Sequence, residues 1–133
     1  MFDIFKNEGL TCIVYKGNII YKSKDRGVKP LLELVNNNIN VTGYNSIDKV
    51  IGKAAAFLYI ILGVNNIYAE IISEPAYKLL LENNVNIKYE TLVPFIINRA
   101  KNGRCPMEEA VLNITDKNEA LTAINKKVLE LRG

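Results

Sequence analysis

Lys53 is the residue with the clearest need of a chemical role. It lies in Gly52-Lys-Ala-Ala-Ala-Phe-Leu-Tyr59, a run that is otherwise apolar, and an ammonium is costly to bury unless it is paired or opens on a cleft. Placed at a cleft it would bind an anionic or carbonyl-bearing ligand, with desolvation lowering its pKa and Asp48 or Glu74 orienting it. A structural ion pair, or a stem that snorkels at a helix edge, accounts for the same residue without function. Cys105 is the second candidate. It precedes Pro106 at an expected helix start with Lys101 and Arg104 nearby, the setting that favours thiolate and hence a nucleophile or redox thiol. The chain contains no histidine, so a Cys-His partnership is excluded, and a small buried hydrophobe is the competing explanation. Cys12, inside an apolar run, reads as core.

Two glycine-containing basic loops precede expected helices. Arg99, Lys101 and Arg104 surround Gly103, and Lys24, Arg26 and Lys29 surround Gly27. Backbone N–H groups at such starts bind anions, phosphate above all, although a solvated basic loop has the same composition. Glu108 and Glu109 suit the dipole of the helix that begins at Pro106. Two familiar patterns fail on inspection. Gly52-Lys53 invites a phosphate-loop reading, but Ile47 holds the first glycine position and Ala54 the hydroxyl position. Ser46-Ile-Asp-Lys49 matches Ser-x-x-Lys without the companion Ser-Asp-Asn and Lys-Thr-Gly elements.

Composition narrows the function classes. Of 133 residues 49% are apolar, enough for one continuous core, so a single domain over residues 1–133 is expected. Lys and Arg number 17 against 14 Asp and Glu, a formal charge of +3. That is far short of the basic stripe that phosphate neutralisation requires, and no nucleic-acid partner is expected. With no histidine and two cysteines a Cys/His zinc centre cannot be assembled; only an oxygen-ligated metal remains possible, and no metal and no cofactor is expected. The most apolar segment, Ala54 to Leu62, is about half the roughly 20 residues of a membrane span. No membrane partner is expected, and the free cysteines suit a reducing cytoplasm.

The elements that must position these groups follow from punctuation and period. Leu10-Thr-Cys-Ile-Val-Tyr15, Lys16-Gly-Asn18 and Ile19-Ile-Tyr-Lys22 read as a tight hairpin. Pro30 begins a helix carrying Leu31, Leu32, Leu34 and Val35. Asn45-Ser-Ile-Asp48 supplies capping oxygens for a helix from about Ile47 to Leu62, closed by Gly63. Asn66 to Ile72 reads as a buried strand, Ser73 as the cap of a helix through Leu81, and Val85 to Glu90 as a half-exposed strand. Pro94 argues against a central strand from Leu92 to Ile97. Pro106 starts a short helix, and Asp116 with Glu119 caps a last one whose inward stripe is Leu121, Ile124, Val128 and Leu131.

Four blocks in this order, Arg26-Gly-Val-Lys-Pro-Leu-Leu-Glu-Leu34, Asp48-Lys-Val-Ile-Gly-Lys-Ala-Ala-Ala56, Tyr68-Ala-Glu-Ile-Ile-Ser-Glu74, and Asn98-Arg99 with Cys105-Pro-Met-Glu108, resemble an uncharacterised prokaryotic domain-of-unknown-function family. Its fold is similar to that of cytidine deaminases. The resemblance implies an α/β protein, a three-layer α/β/α sandwich with a mixed sheet and an N-terminal hairpin. Zinc deaminases hold their metal through a His or Cys two residues before a catalytic Glu on the second helix and through Pro-Cys-x-x-Cys after the next strand. Lys53-Ala54-Ala55 and Pro75-Ala76-Tyr77-Lys78-Leu79 stand in those places, so zinc-hydroxide deamination is excluded and the fold is expected without zinc.

The expectation is a small-molecule-binding domain taking an anionic or nucleotide-like ligand at Asp48, Lys53, Glu74, Arg99, Cys105 and Glu108. Two further classes stand beside it: an enzyme using Lys53 or Cys105 as nucleophile, and a structural or interaction module whose sheet edge, Val85 to Glu90, pairs with another copy in a homo-oligomer or with a partner chain.

Overall fold

The structure, a computed structural model, describes residues 2–25, 27–97, 103 and 105–132. Along the chain the elements are α1 (Phe2–Asn7), β1 (Cys12–Lys16), β2 (Asn18–Ser23), α2 (Lys29–Asn36), β3 (Asn45–Ile51), α3 (Lys53–Leu62), β4 (Asn66–Ser73), α4 (Glu74–Glu82), β5 (Asn86–Val93), α5 (Pro106–Ala110) and α6 (Lys117–Arg132). The strands form one mixed five-stranded sheet in the order β2-β1-β3-β4-β5. β1 is antiparallel to both β2 and β3, and β3, β4 and β5 run parallel. Gly17 turns the opening hairpin at a φ of +74°, left-handed backbone that glycine adopts without steric cost.

The local signals act as expected at several helix ends. Pro30 lies in the first turn of α2, Ser73 accepts from Ala76 N–H at 3.3 Å to start α4, and Asp116 accepts from Asn118 and Glu119 N–H at 3.1 and 2.9 Å to start α6. The helix expected from Ile47 begins six residues later, at Lys53, because residues 45–51 are a parallel strand. Asn45, Ser46 and Asp48 are spent on other bonds. Asn45 accepts from Asn66, and Asn66 from Asn86, each at 3.0 Å, a ladder across three strands in register. Ser46 and Asp48, two apart and so on one face of the strand, reach the hydroxyl of Tyr59 on α3. Helix α1, which carries no strong cap or period, went unread.

The core segregates by face. Helices α2 to α6 bury Leu31, Leu34, Phe57, Leu58, Leu80, Met107 and Ile124 against Cys12, Val14, Ile51, Ala69 and Ile72 of the sheet. On the other face α1 alone sets Phe5 against Ile13 and Ile47. Along α6, Ile124 is buried and Leu121 and Val128 are half-buried, whereas Leu131, expected to point inward, is 60% exposed. No helix among the described residues is long and apolar enough to cross a membrane.

Candidate functional site

At the carboxyl end of β3 the chain leaves the sheet through Gly52 and enters α3. In open α/β sheets this is where ligands are held. A cleft of about 1310 Å³ opens there. Its walls come from the starts of β1 and α2, from Asp48, Lys49 and Val50, from the first turn of α3, from Cys105 to Glu108 at the start of α5, and from the end of α6.

Asp48 is the most perturbed acid in this wall. It is 8% exposed, and burial raises its pKa from 3.8 to about 7, against hydrogen bonds from Tyr59 and the backbone of Val50 and Lys49 that lower it. Oδ2 accepts from the Tyr59 hydroxyl at 2.7 Å, and Oδ1 accepts from Val50 N–H at a long 3.4 Å. The Tyr59 oxygen also lies 2.6 Å from Ser46 Oγ and 3.7 Å from Cys12 Sγ. Tyr59 has one proton and gives it to ionised Asp48, so Ser46 and Cys12 donate to the phenol oxygen and every proton in the cluster points toward the carboxylate. Burial, with the Asp48 charge behind it, pushes the Cys12 thiol and the Tyr59 phenol above their ordinary values. Both stay neutral near pH 7, so Asp48 is the member of the cluster that changes charge there.

Glu108 is held differently. It is 6% exposed, and Oε2 accepts from Lys53 N–H at 2.9 Å. Gly52, the residue before α3, has no side chain to cap the helix, so a carboxylate 55 residues away does so and lies at the positive end of the helix dipole. The approach requires glycine: a Cβ at position 52 would lie 2.7 Å from Glu108 Oε1 and 3.2 Å from Ile96 Cγ1. Oε1 has no hydrogen-bond partner among the described residues.

Of the six candidate residues, Asp48, Cys105 and Glu108 line the cleft. Cys105 is half-buried at the start of α5, its N–H bonded to the Ile96 carbonyl at 2.9 Å. Lys53 is not among the lining residues: its N–H is bonded to Glu108, which is, while its ammonium donates to the Leu112 carbonyl at 3.0 Å and lies 5.7 Å from the centre of the Phe57 ring. Burial holds that amine below the ordinary lysine value, and the charge of Glu108 opposes the shift. Glu74 is exposed in the first turn of α4, outside the cleft lining. Arg99 lies outside the described residues, as do Arg26, Lys101 and Arg104 of the two basic loops. Sequence reasoning missed the parts played by Ser46, Tyr59 and Gly52, while Cys12, read as core, is buried there at 2% exposure. The one local signal was the alternation of Ser46 and Asp48 beside β-branched residues, which fits a strand face.

Lys53, Ala54 and Ala55 form the first turn of α3, and Ala76 and Leu79 lie within α4. No group of three or more His, Cys, Asp or Glu placed to hold a metal ion occurs among the described residues.

No curated protein matches this chain. A crystal structure of a DUF1893 family protein from Thermotoga maritima is similar to it, with 35% sequence identity and a TM-score of 0.89 over 95% of this chain and 86% of that one. The family description that matches, over residues 1–128, is a domain of unknown function, DUF1893. With nearly the whole length matched and the mixed sheet shared, the chain belongs to the DUF1893 family.

Proposed function

We propose that this chain is a small-molecule-binding domain whose ligand occupies the cleft at the carboxyl end of β3, on a cytidine-deaminase-like fold that lacks that fold's zinc residues. The observation that carries it is the cleft itself: about 1310 Å³, apolar along Val28, Leu31, Leu32 and Met107, with two buried acids, Asp48 and Glu108, in its wall. Ligand pockets commonly measure about 300 to 1,000 Å³ and combine an apolar lining with a few buried polar groups. The fold assignment is supported by the opening hairpin, the mixed sheet, and two helices that start at the ends of β3 and β4. A nucleotide-like ligand suits this lining, its anionic part meeting Lys29 and Lys49 and its base the acids.

The test is a thermal-shift and calorimetric screen of nucleotides and metabolites against the wild type and Val50→Trp. Val50 lines the cleft yet is 38% exposed, so the indole fills the cleft without disturbing the core. Compounds that raise the wild-type melting temperature should fail to do so in V50W. Equal shifts in both proteins place binding elsewhere, and a screen without hits removes the proposal.

The position of Cys105 in the cleft wall keeps a nucleophilic enzyme as a second reading. Thiol titration between pH 5 and 9 tests it: ordinary reactivity disposes of the enzyme, and an enhanced rate at neutral pH supports it.

A further inference from the structure

A buried carboxylate needs donors for both oxygens, and one left unmatched costs free energy for as long as it stays unmatched. Glu108 is 6% exposed and has one donor, the Lys53 N–H on Oε2. Oε1 lies against Gly52 and Ile96, which line the cleft with it, and takes no hydrogen bond from the described residues. Asp48, in the same wall, is matched on both oxygens, by the Tyr59 hydroxyl at 2.7 Å and by Val50 N–H at 3.4 Å, so the unmatched acceptor is Glu108 Oε1.

The charge of the lining agrees. Among the described residues it holds Asp25, Glu33, Asp48 and Glu108 against Lys29 and Lys49. Lys29 already faces Asp25 at 3.9 Å, and the Lys53 ammonium is turned to the Leu112 carbonyl. An anion seeking the start of α3 would meet Glu108 already bonded there. The wall therefore holds more acidic than basic side chains, and one of its buried acceptors is unmatched.

Building on the cleft proposed above as a ligand site, we infer that its ligand presents nitrogen donors, an amidine, a guanidine or an amino-heterocycle edge, which complete the hydrogen bonding of Glu108 Oε1. Glu108 is the anchor, and Gly52 is the residue that lets its carboxylate close on α3. A carboxylate facing a planar pair of N–H groups is a strong and directional acceptor.

Two probes of one shape separate the possibilities: benzamidine, which carries a cationic pair of N–H groups, and benzoate, which carries a carboxylate on the same ring. Each is titrated calorimetrically, and by amide NMR shifts, into the full chain as wild type, Glu108→Gln and Gly52→Ala, alongside the metabolite screen. Benzamidine is expected to shift Gly52 and Lys53 and to outbind benzoate. Glu108→Gln turns an acceptor into an amide with donors of its own, and Gly52→Ala pushes Oε1 from its place. Each should weaken benzamidine roughly ten- to a hundredfold, the value of one charge-assisted bond. Gly52→Ala keeps the test decisive should Glu108→Gln fail to fold. Benzoate binding as tightly as benzamidine, or both variants binding benzamidine like the wild type, overturns the donor assignment while the cleft stands. The same follows if neither probe binds while screen compounds shift cleft amides. If no compound of any class shifts those amides, the cleft proposal falls and takes this inference with it.

Discussion

Replacing Asp48 with Asn should abolish a specific loss of stability that the wild type suffers as pH rises. Asp48 is enclosed by Cys12, Ser46 and Tyr59, none of them cationic, and burial raises its pKa from 3.8 to about 7. Between those values the folded chain holds a proton that the unfolded chain releases. The contribution of this group is therefore fully present below about pH 4, declines as pH rises, and is gone above the folded pKa. A rise of about three units at about 1.4 kcal/mol each sets the upper end near 4 kcal/mol. Asp48→Asn keeps the shape and an acceptor for Tyr59 but cannot titrate. Urea unfolding followed by far-UV circular dichroism, run on both proteins from pH 4 to 8, isolates the effect from every other carboxylate. The wild type should lose about 2 to 4 kcal/mol relative to the variant across that range. A difference that does not change with pH would refute the reasoning, because Asp48 would then be an ordinary carboxylate, and so would a wild type that gains on the variant as pH rises, because its folded pKa would then be lowered instead of raised.

Three further outcomes follow from the same geometry. Tyr59→Phe removes the donor to Asp48 and the acceptor for Ser46 and Cys12. It should cost about 2 to 3 kcal/mol in urea titrations near neutral pH, and a loss below about 0.5 kcal/mol would mean that the cluster is not tightly bonded. Gly63→Ala forces a side chain into left-handed backbone at φ +76° and within 3.3 Å of Thr42 Cα. A loss of about 1 to 2 kcal/mol by thermal melting is expected, and no loss would contradict the helix end described. Lys53→Ala breaks the exposed bond to the Leu112 carbonyl, so melting should fall only slightly, by about 0.5 to 1 kcal/mol. Ligand affinity should hold within about twofold, and a large loss of affinity would return the ammonium to the site.

What the sequence disclosed was local. Pro30, Ser73, Pro106 and Asp116 punctuate helices by rules that act within one turn, and Gly17 demands its hairpin by backbone alone. The α/β class and the mixed sheet follow from those elements. β3 was misread as helix because Asn45, Ser46 and Asp48 carry the side chains of a helix cap, and because Ala54, Ala55 and Ala56 extend the helical pattern backwards. What makes it a strand is pairing with Cys12 to Tyr15 on one side and Asn66 to Ile72 on the other, distant partners that no local window contains. The site divides in the same way. Lys53 was visible as an anomaly, yet the direction of its ammonium depends on a carbonyl 59 residues away. Glu108 does lie in the first turn of α5, as its dipole reading expects, but its hydrogen bond goes to the start of α3, 55 residues away. Asp48 was chosen as a partner for lysine and is instead the carboxyl of a tyrosine, serine and cysteine cluster.

The cleft as a binding site is tested most directly by amide-resolved NMR of the full chain during titration with a metabolite mixture fractionated by charge. Shifts concentrated at Gly52, Lys53, Cys105 and Met107, strongest with the cationic and amino-heterocyclic fractions, are what this geometry predicts. Shifts confined to the far face around Phe5, Ile13 and Ile47, or none with any fraction, would contradict it.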